Sequence, residues 1–354
     1  MIRQKLIQIL LFPLTILYGL GITLRNGLYS RGLLKSARFN LPVIGVGNLS
    51  IGGAGKTPHV EYLIRLLSPN VKVATLSRGY KRKNKGFRLV GIHDNALTVG
   101  DEPLQYFLKY REAVVAVSES RSVGVPLLLS KRPDVQTILL DDSYQHRSVT
   151  PSLNILLTEY KRPYSDDILL PSGRLREWRS ASDRADVVIV TKCPEDIPAN
   201  RPSEFRDQLG LREKQQLFFS RYAYGNPYPL LGGAPISLNQ FKEVVVISAI
   251  AQADDLHDYI GKAVERVNSM PYEDHHYFSP HEMSLLKLQY EQMEPGHAAI
   301  ITTEKDATRL ILHREYIIKH QLPIYILPVR VAFLYGEEER FDELVRRHLM
   351  TFRV

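Results

Sequence analysis

The stretch Ser50-Ile51-Gly52-Gly53-Ala54-Gly55-Lys56-Thr57 has the residue types and spacing to hold phosphate. Glycine frees backbone N–H groups to converge on phosphate oxygens, Lys56 adds a mobile positive charge, and Thr57 can offer its hydroxyl to Mg2+. The pattern departs from G-x-x-x-x-G-K-[ST] at its first glycine, where Ser50 stands. A glycine-rich turn with no ligand is the competing reading. Context favours the phosphate loop: Val43, Ile44 and Val46 precede it as a short apolar run, and Val60, Leu63, Ile64 and Leu67 follow at helical spacing. Pro58 falls in the first helical turn, where a missing N–H costs little.

Acids at the ends of other apolar runs could complete such a site. Residues 138–142 read Ile-Leu-Leu-Asp-Asp, and a strand ending in Asp141 and Asp142 downstream of a phosphate loop suits Mg2+, held directly or through water. Residues 100–103, Gly-Asp-Glu-Pro, place Asp101 and Glu102 where a helix would begin; they read as a cap or as a catalytic acid. In 169–178, LLPSGRLREW, Arg176 could neutralise transferring phosphoryl charge and Glu177 could assist Mg2+, although a surface ion pair would look the same. Arg121, just after another apolar run, is equally ambiguous. Residues 272–278, YEDHHYF, could form a proton-transfer dyad or a solvated turn; the spacing is too tight to ring a metal ion. Glu304 and Asp306 in 302–306, TTEKD, are expected to favour the positive end of a helix.

The elements that must position these groups alternate. Strands are expected over 71–76, 87–90, 113–117, 135–140, 153–157 and 187–190, mostly as uninterrupted apolar runs, which implies an α/β fold with a largely parallel sheet covered on both faces. Gly225-Asn226-Pro227, between two aromatic-rich arms, suggests a hairpin joining two units. A second alternation follows, with strands over 244–250, 298–302 and 323–329 and helices over 254–267, 280–293 and from 337 onward. The expected organisation is a membrane-associating helix (1–30), a phosphate-loop catalytic domain (31–215), a hairpin linker (216–235) and a second α/β domain (236–354). A chain of 354 residues is long enough for two such cores.

Residues 6–24 carry no formal charge and, as a helix, would reach about 28 Å, close to a bilayer's hydrocarbon thickness. Gln8, Pro13, Thr15, Gly19, Gly21 and Thr23 interrupt the run, so a span and a kinked in-plane anchor are both compatible with it. No acid precedes Glu61, whereas Arg3, Lys5, Arg25, Arg31, Lys35 and Arg38 do; this flank suits anionic lipid and the cytoplasmic side. The net charge of +8 asks for an anionic partner. Nucleic acid is not expected, for want of an aromatic-basic platform or a reading helix. One cysteine, Cys193, excludes an internal disulfide and a multi-cysteine zinc site. No obligate protein partner is evident.

Taken together, VGNLSIGGAGKTP (46–58), SRGY (77–80), VGDEP (99–103), LDDSYQHR (140–147), LLPSGRLREW (169–178), EDHHYF (273–278) and TTEKDA (302–307) resemble the tetraacyldisaccharide 4'-kinase family over nearly the whole chain. The resemblance implies a P-loop kinase of two α/β/α domains joined by a β-ribbon, with an N-terminal membrane-associated helix on the cytoplasmic face of the inner membrane. It implies transfer of the ATP γ-phosphate, with Mg2+, to the 4'-hydroxyl of a tetraacylated glucosamine disaccharide 1-phosphate in lipid A biosynthesis. Carried over by position, the loop lysine is Lys56, the Mg2+ hydroxyl Thr57, the general base Asp101 and its supporting histidine His275. Glu102, Asp141, Asp142, His146, Arg176 and Glu177 take other active-site positions. Ser143, Trp178 and Arg174 depart from forms common in the family and bear on loop shape rather than on charge. A membrane-associated P-loop GTPase or nucleotide-gated switch is the alternative, weakened because Thr191-Lys192-Cys193-Pro194 has proline where guanine recognition needs aspartate.

Overall fold

The computed structural model describes residues 2–251 and 253–352. The chain opens with helix α1 (Ile2–Ser30), then strand β1 (Val43–Asn48), the glycine-rich loop and helix α2 (Lys56–Leu67). β2 (Val73–Ser77), β3 (Arg88–Leu89), α3 (Ala96–Val99), α4 (Asp101–Lys109), β4 (Val114–Val117), α5 (Arg121–Lys131), β5 (Thr137–Asp141), β6 (Leu153–Glu159) and β7 (Val187–Thr191) follow. Next come α6 (Arg201–Gln208), β8 (Gln216–Tyr224), β9 (Tyr228–Pro229), β10 (Glu243–Ser248), α7 (Asp254–Gly261), β11 (Arg266–Pro271), α8 (Pro280–Glu291) and β12 (Ala298–Thr303). The chain closes with α9 (Glu304–Leu310), α10 (Arg314–Lys319), β13 (Ile324–Leu327), β14 (Val329–Phe333) and α11 (Glu338–Met350).

Two mainly parallel sheets result. The first has nine strands in the order β14-β8-β7-β6-β1-β5-β2-β4-β3, antiparallel only at its two edges. Strand β1 is buried along its whole length between β5 and β6, with Val46 opposite Asp141, so the loop that leaves β1 lies beside the acids that leave β5. Uninterrupted apolar strands such as Val187–Thr191 are what a sheet covered on both faces requires. The second sheet, β11-β10-β12-β13-β9, is parallel except for its short edge strand β9.

The strand expected over 323–329 divides at Pro328. Proline donates no N–H to a ladder, and here the chain leaves the second sheet at Leu327 and enters the first as β14. The hairpin expected at 225–227 is absent for the same reason of topology. β8 pairs with β14 in the first sheet and β9 with β13 in the second, so two strand-linked crossings run side by side, tied by Gly225 N–H donating to the Pro328 carbonyl at 3.0 Å. Helix α11 also returns: Phe341 and Val345 pack with Ile44, Val60 and Phe218. Residues 329–350, expected with the second unit, therefore sit on the first sheet. The exposed strand β11 was not expected, because its polar sequence RVNSMP carries little burial pattern.

Helix α4 packs on α9 between the two sheets, and Lys109 of α4 bridges Glu61 of α2 and Glu304 of α9, the latter at 2.7 Å. Both carboxylates are buried, so the cation between them offsets a desolvation cost that either acid alone would carry.

Candidate active site

Gly52 and Gly55 adopt φ of 108° and 85°, a region that a side chain would strain, and the Gly55 turn feeds directly into α2. The loop is pinned from both sides. Ile51 N–H donates to the Arg174 carbonyl at 2.8 Å, and the Thr191 hydroxyl donates to the Ala54 carbonyl at 3.0 Å. Lys56 Nζ lies 3.1 Å from Asn48 Oδ1 and 3.6 Å from Asp142 Oδ1. Arg176 meets the same Asp142 carboxylate with two donors, at 2.9 and 3.1 Å, and shares Asn48 Oδ1 at 2.5 Å.

The loop faces a cavity of about 860 Å³. Gly52 to Thr57, Asp141, Asp142 and Arg176 line one wall; Tyr80, Glu102, His275 and Lys305 line the other. Four non-glycine residues on this lining, Lys81, Asp142, Lys192 and His275, have φ between 54° and 62° except Asp142 at 45°. Backbone strain of this kind persists only where surrounding contacts impose it, and it gathers at functional sites.

The two strand-end acids differ electrostatically. Asp141 is buried and its pKa rises to about 6, first because burial disfavours the charge and then because Glu102 and Asp142 repel it. Its Oδ2 accepts from the Tyr106 hydroxyl at 3.1 Å, its Oδ1 has no partner, and Tyr106 also meets Thr57. For Asp142 burial acts in the same upward direction but loses to the charges of Lys56 and Arg176, which hold it well below the usual carboxylate range. Arg121 is buried beneath them, donating to the Asp141 carbonyl at 2.7 Å, so it supports the strand end rather than the cavity wall. His146 lines the cavity, and burial together with the Arg121 charge pushes it down to about 4, leaving a neutral imidazole.

Across the cavity, His275 Nδ1 lies 2.8 Å from Asp101 Oδ2, and Arg309 donates to the same oxygen at 3.0 Å. Asp101 is 2 % exposed and does not line the cavity; His275 stands between it and the space. Of the expected pair, His275 is therefore the member that faces the cavity in this arrangement. Glu177, expected near Mg2+, is likewise turned away: fully buried, it is held by Arg184 and Asn26, both at 2.9 Å, and is absent from the cavity lining.

Lys305 was missed. Its Nζ lies 3.1 Å from His275 Nε2, 3.0 Å from Glu102 and 3.3 Å from Asp274. Burial would lower its pKa, but Glu102 and Asp274 outweigh that and keep it protonated. The signal was present in the sequence: Lys305 is the second residue of α9, a cation at the helix end that favours anions, so something other than the helix had to stabilise it. Arg309 carried no signal at all, since its partner Asp101 is 208 residues away.

A buried parallel strand, a glycine-rich loop opening onto a helix at Gly-Lys-Thr, and paired acids on the neighbouring strand define a P-loop phosphotransferase. The chain belongs to the family described as tetraacyldisaccharide-1-P 4'-kinase, whose sequence profile matches residues 7–350. It is 41 % identical over 347 residues to the tetraacyldisaccharide 4'-kinase of Bacteroides thetaiotaomicron, covering 94 % of this chain and 91 % of the relative. It is 42 % identical over 349 residues to that of Flavobacterium johnsoniae, covering 98 % of each. The crystal structure of LpxK from Aquifex aeolicus in complex with ATP superposes with a TM-score of 0.74 at 29 % identity, over 97 % of this chain and 99 % of that one. The chain is thus a kinase, and a GTPase or switch is not favoured.

Proposed function

We propose that the chain transfers the γ-phosphate of ATP to the 4'-hydroxyl of a tetraacyldisaccharide 1-phosphate, at the cytoplasmic face of the inner membrane, as a step of lipid A biosynthesis. The observation that carries this reading is the convergence of Lys56 on Asp142 at 3.6 Å and of His275 on Asp101 at 2.8 Å across one cavity. Ser50 to Thr57 cradle the β- and γ-phosphates, and Lys56 and Arg176 neutralise charge on the oxygens that gain it in the transition state.

Mg2+ fits the residues present. Asp141 has an unpartnered buried oxygen and a raised pKa, and Glu102 and Asp142 crowd it. Among the described residues no three acids, histidines or cysteines are close enough to hold an ion unaided. That is the usual pattern for Mg2+, which takes one or two carboxylates and completes its shell with phosphate and water. Asp141, Asp142, Glu102 and the Thr57 hydroxyl are the groups that would hold it, and bound there it supplies charge neutralisation on the phosphates.

The proton goes to His275. With Nδ1–H donating to Asp101, the Nε2 lone pair faces the cavity, where the incoming 4'-hydroxyl takes the place that Lys305 Nζ fills. The hydroxyl oxygen bonds to the γ-phosphorus as its proton passes to Nε2 and ADP leaves. Asp101, flanked by Arg309, orients the ring and stabilises its protonated form.

Helix α1 seats this machinery on lipid. Gln8–Ser30 is long and apolar enough to cross a bilayer, yet Thr15, Tyr18, Thr23 and Asn26 bond to the 172–178 loop along the same helix. A helix bound lengthwise to the globular body lies in the membrane plane, its exposed Leu10, Leu17 and Leu20 entering the acyl region. The test is incubation with γ-labelled ATP and a lipid A disaccharide 1-phosphate in vesicles, followed by location of the label. Label on the 4'-oxygen supports the reading; labelled product only from GTP, or none, overturns it.

A further inference from the structure

The membrane helix does more than touch the catalytic domain. The Tyr18 hydroxyl donates to the Arg176 carbonyl at 2.9 Å, and Asn26 Nδ2 donates to Glu177 Oε2 at 2.9 Å. Two consecutive residues of the site loop are therefore held from one helix, at points about 12 Å apart along its axis. The next residue is locked too: Trp178 donates its indole N–H to Thr23 Oγ1 at 2.9 Å, and its ring lies so close to Gly19 that a Cβ there would come within 2.6 Å of it. A lipid anchor needs none of these contacts. Its apolar face is the opposite one, where Leu10 is 79 % exposed and Leu17 65 %.

From Arg176 the connection runs forward without a gap. Its backbone N–H donates to the Leu49 carbonyl at 2.7 Å, and its guanidinium holds Asp142 and Asn48, the second of which also accepts from Lys56. Two residues, Arg176 and Asn48, separate α1 from the loop lysine. Burial and the nearby Glu177 charge raise the Tyr18 pKa, so its hydroxyl stays a donor.

We infer that Tyr18 and Asn26 are positioning residues for phosphoryl transfer: by fixing the Arg176 backbone and the Glu177 carboxylate, they keep the Arg176 guanidinium on Asp142 and Asn48 beneath the phosphate loop. The inference rests on the reading of the cavity as the phosphoryl-transfer site. It predicts that the helix governs turnover even where no membrane has to be found.

The experiment uses the full-length enzyme and its Tyr18→Phe and Asn26→Ala variants, each assayed with the lipid disaccharide 1-phosphate in detergent micelles and again in vesicles. Tyr18→Phe removes one oxygen and keeps the ring. Its kcat is expected to fall about fivefold in both media, the loss of one hydrogen bond to the positioning chain, with the KM for lipid and flotation with vesicles unchanged. Asn26→Ala is expected to fall by a similar factor. A loss confined to vesicles would assign these residues to lipid delivery and overturn the inference. So would a wild-type kcat in micelles accompanied only by a lower melting temperature. A wild-type enzyme that labels no lipid sinks the parent reading instead.

Discussion

The two walls of the cavity are built differently. The phosphate wall comes from the first sheet alone: the β1 loop carries Lys56, the adjacent strand β5 carries Asp141 and Asp142, and Arg176 reaches over from the loop before β7. The hydroxyl wall spans both sheets. Asp101 starts α4, while His275, 174 residues away, and Arg309, 208 away, come from the second sheet and its helix α9. Neighbouring parallel strands hold the first wall, so its geometry is fixed by main-chain ladders. The second is held by side chains meeting across a seam. Cation–carboxylate chemistry is common to both, but only the second depends on how two units sit together.

Substitutions that strike each wall separate them, and the largest effect belongs to the phosphate wall. Lys56→Ala should cost about 10³-fold in kcat, since charge neutralisation at transferring phosphate is the main catalytic resource of such a site. Steady-state turnover within tenfold of wild type would break the assignment. Next, His275→Ala should lose roughly 10²-fold in kcat as a lost proton acceptor, and Asp101→Asn somewhat less. Because the two act through one ring, the double variant should be little worse than His275→Ala, where independent residues would multiply. Full multiplication in the double variant would show that Asp101 acts apart from His275.

The seam itself is tested by stability. Arg309 is buried against both Asp101 and Asp306, so Arg309→Met leaves two buried carboxylates without their guanidinium and should destabilise the fold by about 3 kcal/mol, read as a lower urea midpoint. The Arg176→Met counterpart on the phosphate wall leaves Asp142 beside Lys56 in an open cavity, its side chain 40 % exposed, and should cost under about 1 kcal/mol. Equal losses would mean that burial of the seam pair does not distinguish the two walls.

The same difference decides what could be read from the sequence. The phosphate wall was legible because strand, loop and helix are consecutive and the residues identify themselves by spacing. Asp141 and Asp142 were legible as an apolar strand ending in acids. The pairing of Asp101 with His275 came from resemblance alone: nothing in the spacing joins residues so far apart. Lys305 could have been singled out as a cation at a helix start, but its partners could not, and Arg309 was out of reach altogether, because those contacts are set by how α9 packs, a tertiary fact. Pro328 shows the limit from the other side. Its neighbours form one apolar run, yet the chain uses the proline to leave one sheet for the other, which moved β14 and α11 away from the unit in which sequence order placed them.

The smallest effect lies within the phosphate wall, where Asp141 and Asp142 are shifted in opposite directions. An unfolded aspartate ionises near about pH 4, whereas folded Asp141 does so near about 6. Its contribution is therefore fully present below about pH 4 and is lost as pH rises through about 6, because only the unfolded chain releases its proton easily in that window. Asp142 is depressed, so its contribution is present above about pH 4 and disappears only as pH falls further. Urea midpoints measured without Mg2+ or nucleotide between about pH 4.5 and about pH 7 should thus fall less steeply with pH in Asp141→Asn than in the wild type. Asp142→Asn should flatten the slope above about pH 5 by less, because it removes only one of the two charges that repel Asp141 and leaves its burial and Glu102 in place. If both variants share the wild-type slope, the two carboxylates are electrostatically alike, and the case for a cation relieving the crowding around Asp141 goes with the difference.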